Sequence, residues 1–356
     1  MPDDQTSGLV SARPSIFVGG QENPGLVTGL NNLLISENTS GLYRCEASFV
    51  NWGSINNTTD YLYFDRRTLD FGKDFQIKRG DSTLFNGKIM GIEASYPEGQ
   101  APQISVLAED RFQDLRMTRR TRTFADVTDA DVFNQIANDH GLSPSVDVSG
   151  PTYKVLAQVN QSDLAFMRER ARAIDAELWM NGSALNAKTR ANRNGGSLKL
   201  TRGSELREFK VLADLALQRT SVTVNGWDVS GKTGLQFEAT ESAINAELNG
   251  DKSGVSILQS ALGQRKEALV HTIPLNSQEA QAVAESFFKM SARRFLVGRG
   301  IAETTGSLHV GARVELRNLG PLFSGKYYVT EVVHLFDSVK GLRTEFSAER
   351  PGIGSS

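Results

Sequence analysis

The sequence predicts a mainly β protein carrying an α+β insert, and three observations predict it. The first is a block that occurs twice. Near the C-terminus the chain reads Val314-Glu-Leu-Arg, Leu322-Phe-Ser-Gly-Lys326, Tyr327-Tyr-Val-Thr-Glu331 and Ser347-Ala-Glu-Arg350. Near the N-terminus it reads Phe75-Gln-Ile-Lys, Leu84-Phe-Asn-Gly-Lys88, Ile89-Met-Gly-Ile-Glu93 and Leu107-Ala-Glu-Asp110. The second is texture: both blocks alternate apolar and polar residues, whereas the middle of the chain shows helical spacing. The third is the 33 glycines, which suit a body with many turns.

A chain of 356 residues is long for one core, so two or three domains are expected. The formal net charge of −2 argues against a dedicated nucleic-acid binder. Cys45 is the only cysteine, which excludes an intrachain disulfide and a cysteine metal cluster. It lies in an alternating run and reads as a buried strand residue. No secretory signal is visible at Met1-Pro-Asp-Asp-Gln, and no apolar run approaches the ~20 residues of a membrane helix.

Residues 1–13 are polar and read as a flexible arm. Residues 14–116 read as the first β unit, with strands at 15–18, 42–50, 61–64, 74–78, 83–95 and 103–109. Arg116-Met-Thr-Arg-Arg-Thr-Arg122 reads as a solvated crossing rather than a phosphate site, because no aromatics are interleaved. Residues 117–204 read as a small α/β domain. Thr128-Asp-Ala-Asp131 caps a helix whose apolar face is Val132, Phe133, Ile136 and Ala137, stopped by Gly141. A second helix starts at Ser162, with Leu164, Met167, Ala171, Ile174 and Leu178 as one stripe. Lys188 to Gly196 reads as a polar loop. Residues 205–350 read as the second β unit, with one helix over 276–297 and a weakly periodic excursion over 231–262. Residues 351–356 read as a tail.

Little catalytic chemistry is written in the chain. Gly320-Pro-Leu-Phe-Ser-Gly-Lys326 fits the first positions of a phosphate-binding loop, but Tyr327 stands where Ser or Thr is needed, and a strand follows instead of a helix. Gly298-Arg-Gly300 reads as a helix-end turn. His140, His271, His309 and His334 fall in different elements and make no paired metal motif. Glu93 with Glu331, and Glu109 with Glu349, occupy equivalent places of the two blocks; a duplicated structural position explains this spacing better than an acid–base pair. No catalytic, cofactor-binding or metal-binding residue is assigned, no cofactor is expected, and the chain does not read as an enzyme.

Three stretches together resemble the phage late control protein D group: Val222-Thr-Val-Asn-Gly-Trp-Asp228, the helix start Gln161-Ser-Asp-Leu-Ala-Phe-Met-Arg-Glu-Arg-Ala-Arg-Ala173, and Leu319-Gly-Pro-Leu-Phe-Ser-Gly-Lys-Tyr-Tyr-Val-Thr330 with His334. That group comprises baseplate hubs of contractile tails and contractile injection systems, related to the base of valine-glycine-repeat spike proteins. The resemblance spans about residues 14–350. It implies a homotrimer in which each chain carries two tail-tube-like antiparallel β-barrels flanking a small α/β domain. Three such chains would present six similar barrels to a sixfold tube and a true threefold axis to a spike. The implied partners are further copies of this chain, a central spike protein, an inner tube or tube-initiator protein, and baseplate wedge components. Neither nucleic-acid recognition nor stable membrane insertion is implied. Spike-fused relatives continue into an oligonucleotide/oligosaccharide-binding fold and a β-helical needle; this sequence ends at Ser356, so the spike is expected as a separate chain. Assembly is expected in the bacterial cytoplasm, within a phage tail or injection-particle baseplate. The alternatives are a tail-tip peptidoglycan hydrolase using acids such as Glu93 or Glu331, or a glycan-binding module formed by the α/β domain.

Overall fold

The computed structural model describes residues 13–55, 57–228, 231–270 and 274–354. The expected arm, apart from Arg13, and the end of the expected tail lie outside these residues, as does His271. The dominant element is a 13-stranded sheet.

Within it, one strand arrangement occurs twice. The N-terminal unit uses Leu30–Asn38, Arg44–Val50, Asp74–Arg79, Ser82–Ser95 and Gln103–Glu109. The C-terminal unit uses Leu206–Ala213, Leu296–Glu303, Arg313–Arg317, Gly325–Asp337 and Gly341–Arg350. In each, the first strand pairs the second, the second pairs the fifth, the fifth pairs the fourth and the fourth pairs the third, all antiparallel. The long fourth strand changes partner halfway along in both units. A bulge follows that change, at Met90 and at Thr330. Lys88 faces Glu109 and Tyr328 faces Glu349 at the crossing point. The structural repeat is therefore offset by two residues from the Leu-Phe-x-Gly-Lys match. Leu84 lies buried in a strand, whereas Leu322 sits exposed in the helical turn Gly320–Phe323.

The two units do not form the expected pair of separate barrels. Leu30–Asn38 pairs Arg44–Val50 on one side and Gly325–Asp337 on the other. The edge that could close the first unit on itself is thus spent on the second, and among the described residues no closed barrel forms. Phe336 of the C-terminal unit sits in the core of the N-terminal one, with Ile35, Cys45, Phe49, Phe75 and Val106.

Local sequence explains most elements. Arg44–Val50 buries Cys45, Ala47 and Phe49 and turns the intervening residues outward. It starts two residues later than expected because Gly41 and Leu42, at φ 68° and 61°, make the preceding turn. Residues 61–64 run through bends into a turn instead of forming a strand. Here Trp52, Tyr61, Phe64 and Tyr96 gather on the surface, with Tyr61 stacked on Phe64 at 4.9 Å.

The insert has its own core of Phe124, Phe133, Ile136, Leu164, Phe166 and Met167, among others. Thr128 and Asp131 form a reciprocal cap on helix Asp129–Asp139. Helix Asp163–Ala173 is capped by Ser162, whose Oγ accepts from Ala165 N–H at 3.2 Å. It ends before the expected stripe does: Asp175 turns at φ 55°, and Leu178 joins strand Ala176–Asn181. Ile174 stays buried in the insert core at the helix end. Ile174→Asp is therefore expected to cost about 3–5 kcal/mol, since the charge has no partner there. Urea unfolding checks this, and a midpoint equal to that of the wild type would refute it.

The excursion is ordered. Thr233–Thr240 pairs all along Ser221–Asp228, and helix Gly254–Leu262 is capped by Ser253. The hairpin strand alternates only over Leu235, Phe237 and Ala239, its less exposed positions, and this short pattern is easily lost among the polar residues around it. The start of the expected tail is a strand too: Gly352–Ile353 pairs Lys252–Ser253 and pins the excursion. Helix Ser277–Arg293 begins at its Asn276 cap, as expected, but stops before 297. Gly298 and Gly300 lie inside strand Leu296–Glu303, not in a helix-end turn. Each is required by a ring: a Cβ at 298 would meet Phe209 Cζ at 2.1 Å, and one at 300 would meet Phe346 Cε1 at 2.6 Å.

Candidate functional site

The seam between the units gathers several buried polar residues. Asn32–Asn38 runs against Glu331–Asp337, with Glu37 opposite Val332 and Ile35 opposite His334. Glu37 and His334 are therefore diagonal neighbours on one face of the sheet. His309, from the loop before Arg313–Arg317, reaches the same spot: its Nδ1 lies 2.9 Å from Glu37 Oε1. Glu37 is 2% exposed and also accepts from Val310 N–H at 3.2 Å. Burial pushes the Glu37 carboxyl up, but His309, His334 and the Val310 N–H more than reverse this and hold it below the usual range. Burial alone would lower His309, yet Glu37 raises it. His334 is fully buried, which lowers its pKa to about 4 and keeps it neutral.

Arg193 clasps the same junction. It donates to Glu177 Oε2 at 3.0 Å in the insert, to the Tyr43 hydroxyl at 3.0 Å in the N-terminal unit, and to the Val310 carbonyl at 2.7 Å in the C-terminal unit. One buried guanidinium thus ties three segments together. Sequence reasoning placed Arg193 in a polar loop and missed it, because its partners are scattered along the chain.

The other residues weighed from sequence fall as follows. Glu109 takes Arg116 and Arg44, and Glu349 takes Arg190 at 3.1 Å. Glu331 accepts from Ser347 Oγ at 3.0 Å, and Glu93 is exposed on another strand. Among the described residues, neither expected pair of equivalent acids is drawn into a two-carboxylate site. The Gly320–Lys326 loop is filled from within: Arg350 donates to the Ser324 carbonyl at 2.9 Å and lies where a Cβ on Gly325 would go. A strand follows, as expected. Lys326→Ala is accordingly expected to leave ATP and GTP titrations as blank as those of the wild type; nucleotide binding that this variant abolishes would overturn the dismissal. The basic crossing is not a free solvated link. Arg119 begins a strand, and Arg122 pairs with Asp139 and Asp163, each at 2.8 Å. His140 sits 2.8 Å from that same Asp163.

A cleft of about 540 Å³ opens between helices Asp163–Ala173 and Ser277–Arg293. Its walls carry arginines, most of which are already engaged, while Arg172 and Arg294 make no side-chain ion pair or hydrogen bond among the described residues. Arg293 holds Asp175 at 2.7 Å and Glu247 at 2.6 Å, Arg219 holds Glu267 at 2.7 Å, and Arg168 caps the Ser40 and Gly41 carbonyls. The one group of described residues with the donors for a metal ion is Glu37, His309 and His334, whose candidate ligand atoms all lie within 4.8 Å of one another. Spacing in the sequence could not reveal it, since Glu37 and His309 are 272 residues apart. Among the described residues, no helix is long and apolar enough to cross a membrane.

Comparison with solved structures places the fold among tail proteins. The chain is similar to the 43 kDa tail protein of prophage MuSo2 from Shewanella oneidensis, with 13% identity and a TM-score of 0.70 over 95% of this chain and 98% of that one. It is similar to the tail protein from Neisseria meningitidis MC58, with 11% identity and a TM-score of 0.65 over 96% and 97%. It is also similar to an E. coli component of the type VI secretion system, described as structurally similar to T4 bacteriophage tail proteins gp27 and gp5. There the identity is 12% and the TM-score 0.56, over 96% of this chain and 79% of that one. At these identities the likeness is one of fold. No curated protein matches the sequence. A family model does: residues 47–337, most of the chain, match the model described as the Alg8 N-terminal domain, and the chain belongs to that family.

Proposed function

We propose that this protein is a structural component of a contractile phage tail or a phage-like injection system, acting as the baseplate hub between a sixfold inner tube and a trimeric spike. The observation that carries the reading is the repeated five-strand arrangement, offered twice by one chain. Three chains would then present six similar units around an axis, matching a hexameric ring, while keeping a true threefold axis for the spike. The shared fold with tail proteins supports this.

The partners in this reading are two further copies of the chain, a spike, a tube or tube-initiator protein and baseplate wedge components, assembled in the bacterial cytoplasm. The exposed aromatic group of Trp52, Tyr61 and Tyr96 suits a protein contact better than open solvent. Catalysis forms no part of the proposal, because the acids that could have supported a hydrolase either pair with arginines or stand apart. Cryo-electron microscopy of the assembled particle tests the role. Three copies in a ring on the tube axis are expected; six copies, or a position off the axis, would end the hub assignment. Cleavage of peptidoglycan by the purified chain would favour the hydrolase instead.

A further inference from the structure

We infer that Glu37, His309 and His334 form a binding site for a divalent transition metal of the zinc class, set into the seam that joins the two β units. Nothing in the proposed role requires it, and it stands or falls independently of the hub reading.

The argument starts from His334. The Thr344 hydroxyl donates to Thr304 Oγ1 at 2.9 Å, so its proton is committed. It must therefore accept the 2.8 Å hydrogen bond from His334, which puts the imidazole proton on Nδ1. That leaves Nε2 as a bare lone pair, and Nε2 is buried with no hydrogen-bond partner. A buried acceptor without a donor is costly and uncommon. The same lone pair is what a metal needs, and the Nδ1–H bonded to a fixed oxygen is the usual outer support of a ligating histidine.

The other two members fit the same chemistry. His309 hydrogen-bonds the Gly306 backbone as well as Glu37, and both contacts help to hold its ring. Glu37 is buried and its carboxylate is steadied by Val310 N–H. Two imidazoles and one carboxylate form a donor set that zinc accepts, leaving a fourth position for water or an outside ligand. Zinc bonds of roughly 2.0–2.2 Å put neighbouring tetrahedral donors about 3.3 Å apart. The His309–Glu37 contact would open from 2.9 Å by a few tenths of an ångström, and the three donor atoms, which lie within 4.8 Å of one another, would draw together around the ion. His309 is partly exposed, which provides the way in. Arg79 and Arg193 are the nearby cations that weigh against binding, and Arg193 is already paired with Glu177.

The three ligands come from strand Leu30–Asn38, strand Gly325–Asp337 and the loop before Arg313–Arg317. A bound ion would therefore clamp the junction on which the paired units depend, and would stabilise the folded chain by mass action.

The test uses the full chain without a polyhistidine tag, stripped with EDTA and titrated with Co²⁺ and then Zn²⁺. One equivalent of Co²⁺ per chain is expected, with the strong visible bands of four- or five-coordinate cobalt, bleached when Zn²⁺ displaces it. Saturating Zn²⁺ should raise Tm by several degrees. His309→Gln, a change on a partly exposed loop, should keep the circular dichroism spectrum and weaken binding by about tenfold or more. Glu37→Gln should do the same, and Thr344→Val, which touches no metal, should weaken it roughly 10- to 100-fold through His334. Binding that is substoichiometric, or unchanged in His309→Gln, would leave a hydrogen-bonded Glu–His pair only and would overturn the inference.

Discussion

Asp163→Ala is expected to destabilise the protein by about 3–5 kcal/mol, because it leaves a cluster of buried polar groups facing a hole. The Asp163 side chain is 1% exposed at the start of helix Asp163–Ala173. It accepts from Arg122 Nη2 and Gln158 Nε2, each at 2.8 Å, lies 2.8 Å from His140 Nε2, and has Arg120 Nε at 3.1 Å. Gln158 is itself fully buried, so losing its acceptor costs the desolvation of the amide as well as the bond. Burial pushes the Asp163 carboxyl up, but His140, Gln158 and the two arginines more than reverse it, leaving its pKa below the ordinary 3.8. A carboxyl lowered in the folded state adds stability that is present above 3.8 and lost as the pH falls through the folded value. Asp163→Asn keeps the shape and removes the charge, so its gap from wild type should be wide at neutral pH and close in acid. Urea unfolding of wild type and both variants at neutral and acid pH checks this. A variant that unfolds like wild type at neutral pH, or a gap that ignores pH, would show that the network carries no net stability.

That network also shows what the sequence could and could not say. Helix starts were legible because their causes are local: Thr128 with Asp131, Ser162, and Asn276 with Glu279 each sit within one turn of the N–H groups they satisfy. The alternation of Arg44–Val50 was legible because one sheet face is buried. Helix ends were less so. The stripe running on to Leu178 continues past the chain reversal at Asp175, and periodicity does not register a single residue in the left-handed region. The seam was not legible at all. Which strand Leu30–Asn38 takes on the edge away from Arg44–Val50 is decided by which edges the fold leaves open, and any candidate presents the same kind of alternating strand. Glu37, His309, His334 and Arg193 meet only because that choice was made. The arginines of the crossing at 116–122 misled for the same reason: Asp139 and Asp163, which hold Arg122, and Glu109, which holds Arg116, lie apart from them in the sequence.

The repeated Leu-Phe-x-Gly-Lys motif gives the second large effect, since its two glycines are required for different reasons. Gly87 lies where Ser82–Ser95 leaves Asp74–Arg79 and begins to pair Gln103–Glu109. A Cβ there would meet the Glu109 carbonyl oxygen at 2.2 Å and Phe85 Cζ at 2.7 Å. The first obstacle is backbone held in a ladder, so relief means parting the strands at their crossing. Gly325 meets a side chain instead, the Arg350 guanidinium at 2.6 Å, and is set apart by its φ of 143°. The guanidinium can swing, at the cost of its bonds to Asp251 and the Ser324 carbonyl, but the backbone angle still disfavours any residue with a Cβ. Gly87→Ala is therefore expected to cost at least about 3 kcal/mol, at the upper end of overpacking effects, by clash alone. Gly325→Ala should cost roughly 1–3 kcal/mol, mostly as backbone strain. Adding Arg350→Ala separates the two mechanisms. It opens space at 325 and not at 87, so it should recover part of the clash in Gly325→Ala and add to the loss in Gly87→Ala. Denaturant unfolding of the single and double variants measures both couplings. A Gly87→Ala protein as stable as wild type would mean that the strand crossing yields freely. The close approach at Glu109 would then not be what fixes glycine in the N-terminal copy of the motif.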